Sequence, residues 1–134
     1  ATRAVLIERH FPTVGLIQQS INDLGLENQV EAIATDTFYW IQQELETHLP
    51  LTVNAPWLVF CSPPYDLYQT EAGNIESMLQ QIGELAPRES ILVVESDDRY
   101  DNQQLPWPGS WDIRNYPPAV VAIWIKPGGD PEEQ

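Results

Sequence analysis

Apolar residues fall into two alternating rhythms along this chain: short unbroken runs, and runs spaced by three and four. Ala4-Val5-Leu6-Ile7 is an unbroken run closed by polar Glu8-Arg9-His10, and it reads as a short buried strand. Pro12 suits the first turn of a helix, and Val14, Ile17, Ile21 and Leu24 then mark one helical face. Gly25 stands where a left-handed C-terminal cap is expected. Val30-Glu31-Ala32-Ile33-Ala34 is the next strand, and Thr35-Asp36-Thr37 offers side chains that cap the helix built on Phe38, Ile41 and Leu45. Residues 50–56 read as a loop. Trp57 to Cys61 is continuously apolar, as in a strand covered on both faces. Ile75, Met78, Leu79, Ile82 and Leu85 give an amphipathic helix that Pro87 ends, and Ile91-Leu92-Val93-Val94 is a further apolar strand. Residues 97–110 are polar and proline-bearing, hence loop. Trp111–Tyr116 and Ala119–Ile125 form a closing antiparallel pair around Pro117-Pro118, and residues 127–134 are expected to be a mobile polar tail.

Strands and helices that alternate in this way build an α/β fold: a mainly parallel sheet with helices on both faces, here with an antiparallel closing pair. A chain of 134 residues with 43% hydrophobic content can bury a core. No apolar run approaches the roughly 20 residues of a membrane span, and no basic-then-apolar leader opens the chain, so the cytoplasm is the expected compartment. A single cysteine, Cys61, allows no internal disulfide and no cysteine-rich zinc site; it is expected to be a small core residue. His10 and His48 are expected at the surface, and no metal site is expected.

Charge narrows the picture further. The formal net charge is -14, and the six cations (Arg3, Arg9, Arg88, Arg99, Arg114 and Lys126) are scattered. Nucleic-acid affinity comes largely from Lys and Arg on phosphates. Tight binding of naked RNA or DNA by this chain alone is therefore not expected. A nucleic-acid target would have to lie in a protein-rich particle, or basic residues would have to come from elsewhere.

The densest chemistry lies in Val59-Phe60-Cys61-Ser62-Pro63-Pro64-Tyr65. Two adjacent prolines cannot continue a sheet ladder, and they stiffen the backbone just past the strand end. In an open α/β sheet, that end is where ligands bind.

Ser62-Pro63-Pro64-Tyr65 resembles the Asp/Asn/Ser-Pro-Pro-Tyr/Phe motif of methyltransferases that act on an exocyclic nucleobase amino group. From Ala4 to about Trp124 the chain resembles the class I S-adenosylmethionine-dependent methyltransferases. More narrowly, it is similar to the RsmD-like bacterial family that methylates a guanine N2 in 16S ribosomal RNA. Ala4–Glu8 resembles that fold's second strand with its terminal acid, Leu16 to Leu26 the helix after it, and Asp36-Thr37-Phe38 the acidic loop after the third strand. Leu92–Ser96 resembles the fifth strand.

The resemblance implies a Rossmann-like methyltransferase fold and S-adenosylmethionine as cofactor. It implies that Glu8, with Arg9 beside it, meets the cofactor ribose, and that Asp36, with Thr37 and Phe38, meets the adenine. Ser62 and the Pro63 carbonyl would accept hydrogens from the target amino group, Pro64 would stiffen the exit, and Tyr65 would stack on the flipped base. Two features depart from the pattern. The usual acid at the first motif position is serine here, and no Gly-x-Gly occurs anywhere.

The family's strand order is 3-2-1-4-5-7-6, and the chain opens where strand 2 should begin. Residues 1–126 therefore read as a partial methyltransferase domain lacking the first strand. An upstream segment or another chain is expected to supply that strand and its glycine loop, because unpaired apolar edges inside a sheet are unstable. Adenine N6 methylation and a non-catalytic binding module are the alternative functions.

Overall fold

A computed structural model of the chain describes residues 2–48 and 55–128. The chain divides into two compact units, Ala1–His48 and Leu49–Gln134. Most of the loop expected at 50–56, and most of the tail expected at 127–134, lie outside the described residues.

In the first unit, β1 (Ala4–Glu8) and β2 (Val30–Ala34) pair in parallel, from Ala4 opposite Val30 to Glu8 opposite Ala34. Helix α1 (Phe11–Asp23) connects them, with Pro12 in its first turn. Its end is a Schellman motif: Leu26 N–H donates to the Ile21 carbonyl and Gly25 N–H to the Asn22 carbonyl. Gly25 sits at φ 69°, a conformation that a Cβ disfavours. The single helix expected around Phe38 to Leu45 is instead two, α2 (Thr37–Gln43) and α3 (Leu45–His48). Glu44, at φ -119°, leaves helical geometry between them. The one-in-four spacing still holds, because Ile41 and Leu45 are both buried. His48, expected at the surface, is half-buried. Its Nε2 lies 2.9 Å from Glu31 Oε2, which Arg3 also reaches at 3.0 Å.

The second unit is a four-stranded sheet in the order β3-β4-β6-β5, built from β3 (Leu58–Cys61), β4 (Ile91–Asp97), β5 (Asp112–Tyr116) and β6 (Ala119–Ile125). β3 and β4 are parallel, while β6 runs antiparallel to both of its neighbours. Strand alternation decides the core. Leu92, Val94 and Ser96 on β4 and Val120, Ala122 and Trp124 on β6 are buried, as are Ile75, Met78, Leu79 and Ile82 of α5 (Ala72–Leu85). Gly83 of α5 meets the ring of Trp124, so this helix covers that face of the sheet. A short helix α4 (Leu67–Thr70) precedes α5, and β4 runs three residues beyond the apolar run that marks it. β3 and β5 are the edge strands, and Leu58 and Phe60 of β3 are 60% and 68% exposed.

Lys126 closes the lower end of α5. Its Nζ donates to the Glu84 carbonyl at 3.0 Å and to the Ala86 carbonyl at 2.7 Å. These are among the carbonyls that a helix end leaves unpaired, and a cation there also suits the helix dipole. Lys126→Met keeps the stem and removes both bonds. Urea unfolding should show a loss of about 1 kcal/mol, and an unchanged midpoint would contradict this role.

Candidate active site

Two groups of predicted site residues lie on different units, and each is built locally. On the first unit, Glu8 ends β1. Its Oε1 accepts the His10 N–H at 3.0 Å, which leaves the other oxygen without a partner among the described residues. Arg9 is exposed in the bend that follows. Asp36 precedes α2, and its Oδ1 accepts the Tyr39 N–H at 3.0 Å, as an N-capping carboxylate does. Thr37 and Phe38 open that helix, both half-buried.

On the second unit, Ser62, Pro63, Pro64 and Tyr65 leave the C-terminal end of β3 and lead into α4. The Pro64 carbonyl accepts the Leu67 N–H at 2.9 Å, and the Tyr65 carbonyl accepts the Tyr68 N–H at 3.2 Å. The Pro63 carbonyl and the exposed Ser62 hydroxyl have no partner among the described residues. The segment thus keeps two acceptors open.

β4 braces this exit. Tyr65 Oη donates to Glu95 Oε2 at 2.5 Å, and Tyr68 Oη donates to the Glu95 carbonyl at 2.6 Å. The hydrogen bond to Glu95 holds the Tyr65 phenol above its ordinary pKa, so it stays protonated. Arg99 joins the loop to the same strand end. Its guanidinium reaches Asp66 at 2.9 Å and Asp97 at 2.8 Å. Cys61, just before the motif, is buried, and burial pushes its thiol up to about 11, which suits a core residue and not a nucleophile.

Side-chain hydrogen bonding from Arg99 holds the Asp97 carboxyl below its usual range. A depressed folded-state pKa contributes stability above the ordinary aspartate value of about 3.9, and that contribution is lost as pH falls through the lower folded value. The wild type should therefore lose stability on acidification below about pH 4. Arg99→Gln should lower stability near neutrality and flatten that acid limb in urea midpoints taken from pH 6 to pH 3. Parallel profiles for the two proteins would contradict the pairing.

Sequence reasoning found the motif but missed Glu95 and Arg99. The usable signal was register. Cys61 pairs with Val94, so the residue after each strand's last paired position, Ser62 and Glu95, falls side by side.

No protein-family model and no curated protein matches the chain. Solved structures do. A candidate methyltransferase, yhhF, from Escherichia coli superposes with a TM-score of 0.66 at 15% identity, over 96% of this chain and 65% of that one. A candidate methylase from Haemophilus influenzae gives 0.67 at 15%, over 95% and 74%. An RNA methyltransferase from Salinibacter ruber, in complex with S-adenosyl-L-homocysteine, gives 0.59 at 17%, over 97% and 69%. The fold is that of the class I S-adenosylmethionine-dependent methyltransferases.

The chain spans about two thirds to three quarters of the length of these methyltransferase-fold proteins. Its two sheets reproduce the 3-2 and 4-5-7-6 portions of that fold's strand order as β2-β1 and β3-β4-β6-β5. Strand 1 has no counterpart among the described residues. Ser62-Pro63-Pro64-Tyr65 follows β3, the counterpart of that fold's fourth strand. No helix among the described residues is long and apolar enough to cross a membrane.

Proposed function

We propose that this chain is the larger part of an enzyme that transfers a methyl group from S-adenosylmethionine to an exocyclic amino nitrogen of a nucleobase. Guanine N2 in 16S ribosomal RNA is the preferred target. The observation that carries the reading is Ser62-Pro63-Pro64-Tyr65, with its open Ser62 and Pro63 acceptors, at the carboxyl end of β3 in a methyltransferase fold. Paired acceptors at one amino group orient the nitrogen lone pair, and positioning of this kind is a large share of catalysis in group transfer.

The residues present fit the cofactor in their chemistry. Glu8 keeps one carboxylate oxygen open for ribose hydroxyls, since only Oε1 is engaged by His10. Asp36 keeps Oδ2 for the adenine amino group while Oδ1 caps α2. Thr37 and Phe38 lie beside it and Arg9 beside Glu8. When bound, S-adenosylmethionine supplies the electrophilic sulfonium methyl. Tyr65 offers a ring face for a base taken out of its stack.

Residues 1–126 act as one partial domain in this reading. The exposed edge of β3 supports a further strand, from an upstream segment or a second chain, that completes the sheet. The net charge of -14 supports a ribonucleoprotein particle, with its own basic proteins, over naked RNA as the substrate.

Isothermal titration of the full protein with S-adenosylmethionine tests the reading. Saturable binding is expected, and Glu8→Ala should weaken it roughly tenfold, the loss of one or two charge-assisted hydrogen bonds. No heat of binding at millimolar cofactor would overturn it.

A further inference from the structure

We infer that Glu95 supplies the carboxylate that the motif itself lacks, sharing with Ser62 the one hydrogen of the target amino group that the Pro63 carbonyl does not accept. The inference rests on the methyl-transfer reading above and adds a residue to it. Ser62 can accept a hydrogen bond but carries no charge, and a neutral acceptor holds an amino group less firmly than a carboxylate does.

Three observations place a carboxylate there. First, register: Cys61 lies opposite Val94, so Ser62 and Glu95 are lateral neighbours one position past the last paired residues of parallel strands. Neighbouring strands lie roughly 4.8 Å apart, within the joint reach of both side chains. Second, anchorage: Tyr65 Oη holds Glu95 Oε2, and Tyr68 Oη holds the Glu95 carbonyl, so both ends of the residue are fixed from the motif side. Glu95 Oε1 has no partner among the described residues. Third, charge: Asp66 and Asp97, the neighbouring acids, are both paired with Arg99, whereas Glu95 has no cation among the described residues. Of the three acids that the structure ties to this exit, Glu95 alone keeps an unneutralised, half-buried carboxylate with one oxygen open.

The contact can be read without turnover. Inosine is guanosine without the exocyclic amino group, so the ratio of affinities for two reconstituted ribonucleoprotein particles whose RNA differs only by guanosine or inosine at the target reports what holds that group. With the full protein, the wild type should favour guanosine roughly tenfold, as for a hydrogen bond to a charged acceptor. Glu95→Gln keeps the shape and an acceptor oxygen but loses the charge, and should narrow the ratio to about two- to threefold. Ser62→Asp in the Glu95→Gln background returns a carboxylate to the motif and should restore most of the preference; a purely structural role for Glu95 would not be rescued in this way. Methyl transfer should follow the same order. A wild-type preference that Glu95→Gln leaves intact, or that Ser62→Asp does not restore, overturns the role of Glu95 and leaves the enzyme reading standing. Absence of any guanosine preference, or of cofactor binding by calorimetry, overturns both.

Discussion

Tyr65→Ala is expected to lower methyl transfer roughly 10- to 100-fold while the dissociation constant for S-adenosylmethionine stays within about twofold. The magnitude follows from the stacking of a base on an aromatic face, about 1–3 kcal/mol by alanine substitution, with each 1.4 kcal/mol worth about a factor of ten. The selectivity follows from location. The residues proposed to hold the cofactor end β1 and open α2, whereas Tyr65 follows β3. Tyr65→Phe separates ring from hydroxyl: it keeps the stacking face and removes the bond to Glu95. It should therefore retain more turnover than Tyr65→Ala. Single-turnover transfer of labelled methyl groups, paired with calorimetry, reads both quantities. Turnover unchanged in Tyr65→Ala would remove this residue from the site, and equal losses in both variants would shift the weight from the ring to its hydroxyl.

The elements that sequence alone made legible are those whose signal is local. The steps from Val14 to Ile21 and from Ile75 to Ile82 give α1 and α5 because a helix repeats every 3.6 residues. The runs at Ala4, Val30, Ile91 and Ala119 give strands because both sides must be apolar or alternate. What was not legible depends on partners distant in sequence. Helix α4 is only four residues and follows two prolines, too short for any periodicity to register. β4 takes in Asp97, which the sequence assigns to the following loop, because β6 supplies it a ladder partner in Ala119. Pairing with β3 sets Glu95 beside the motif. Trp107 lies between Pro106 and Pro108, and its ring stacks on Trp124 at 4.2 Å with planes 8° apart, an arrangement set by tertiary packing.

That stack makes Gly83→Ala a sensitive probe, with an effect that should depend on its background. Within a helix, alanine in place of glycine is worth about 1 kcal/mol in favour of the helix. Here the added Cβ would lie 2.3 Å from Trp107 Cη2, 2.8 Å from its Cζ3 and 3.2 Å from Trp124 Cζ3. The Trp107 ring cannot yield freely. Its ring is stacked on Trp124, its backbone sits at φ 55°, and its carbonyl accepts the Ser110 N–H at 3.1 Å. Trp111 Nε1 also pins the turn through the Pro106 carbonyl at 2.6 Å. Overpacking against such a ring costs about 1–3 kcal/mol and should outweigh the propensity gain. Gly83→Ala alone should therefore destabilise the protein by roughly 1 kcal/mol. Trp107→Ala removes both shortest overlaps, leaving only the milder contact with Trp124. In that background Gly83→Ala should cost little or become stabilising, a coupling that a double-mutant cycle in urea measures directly. The same destabilisation in both backgrounds would mean that Trp107 does not occupy the surface of α5 in solution.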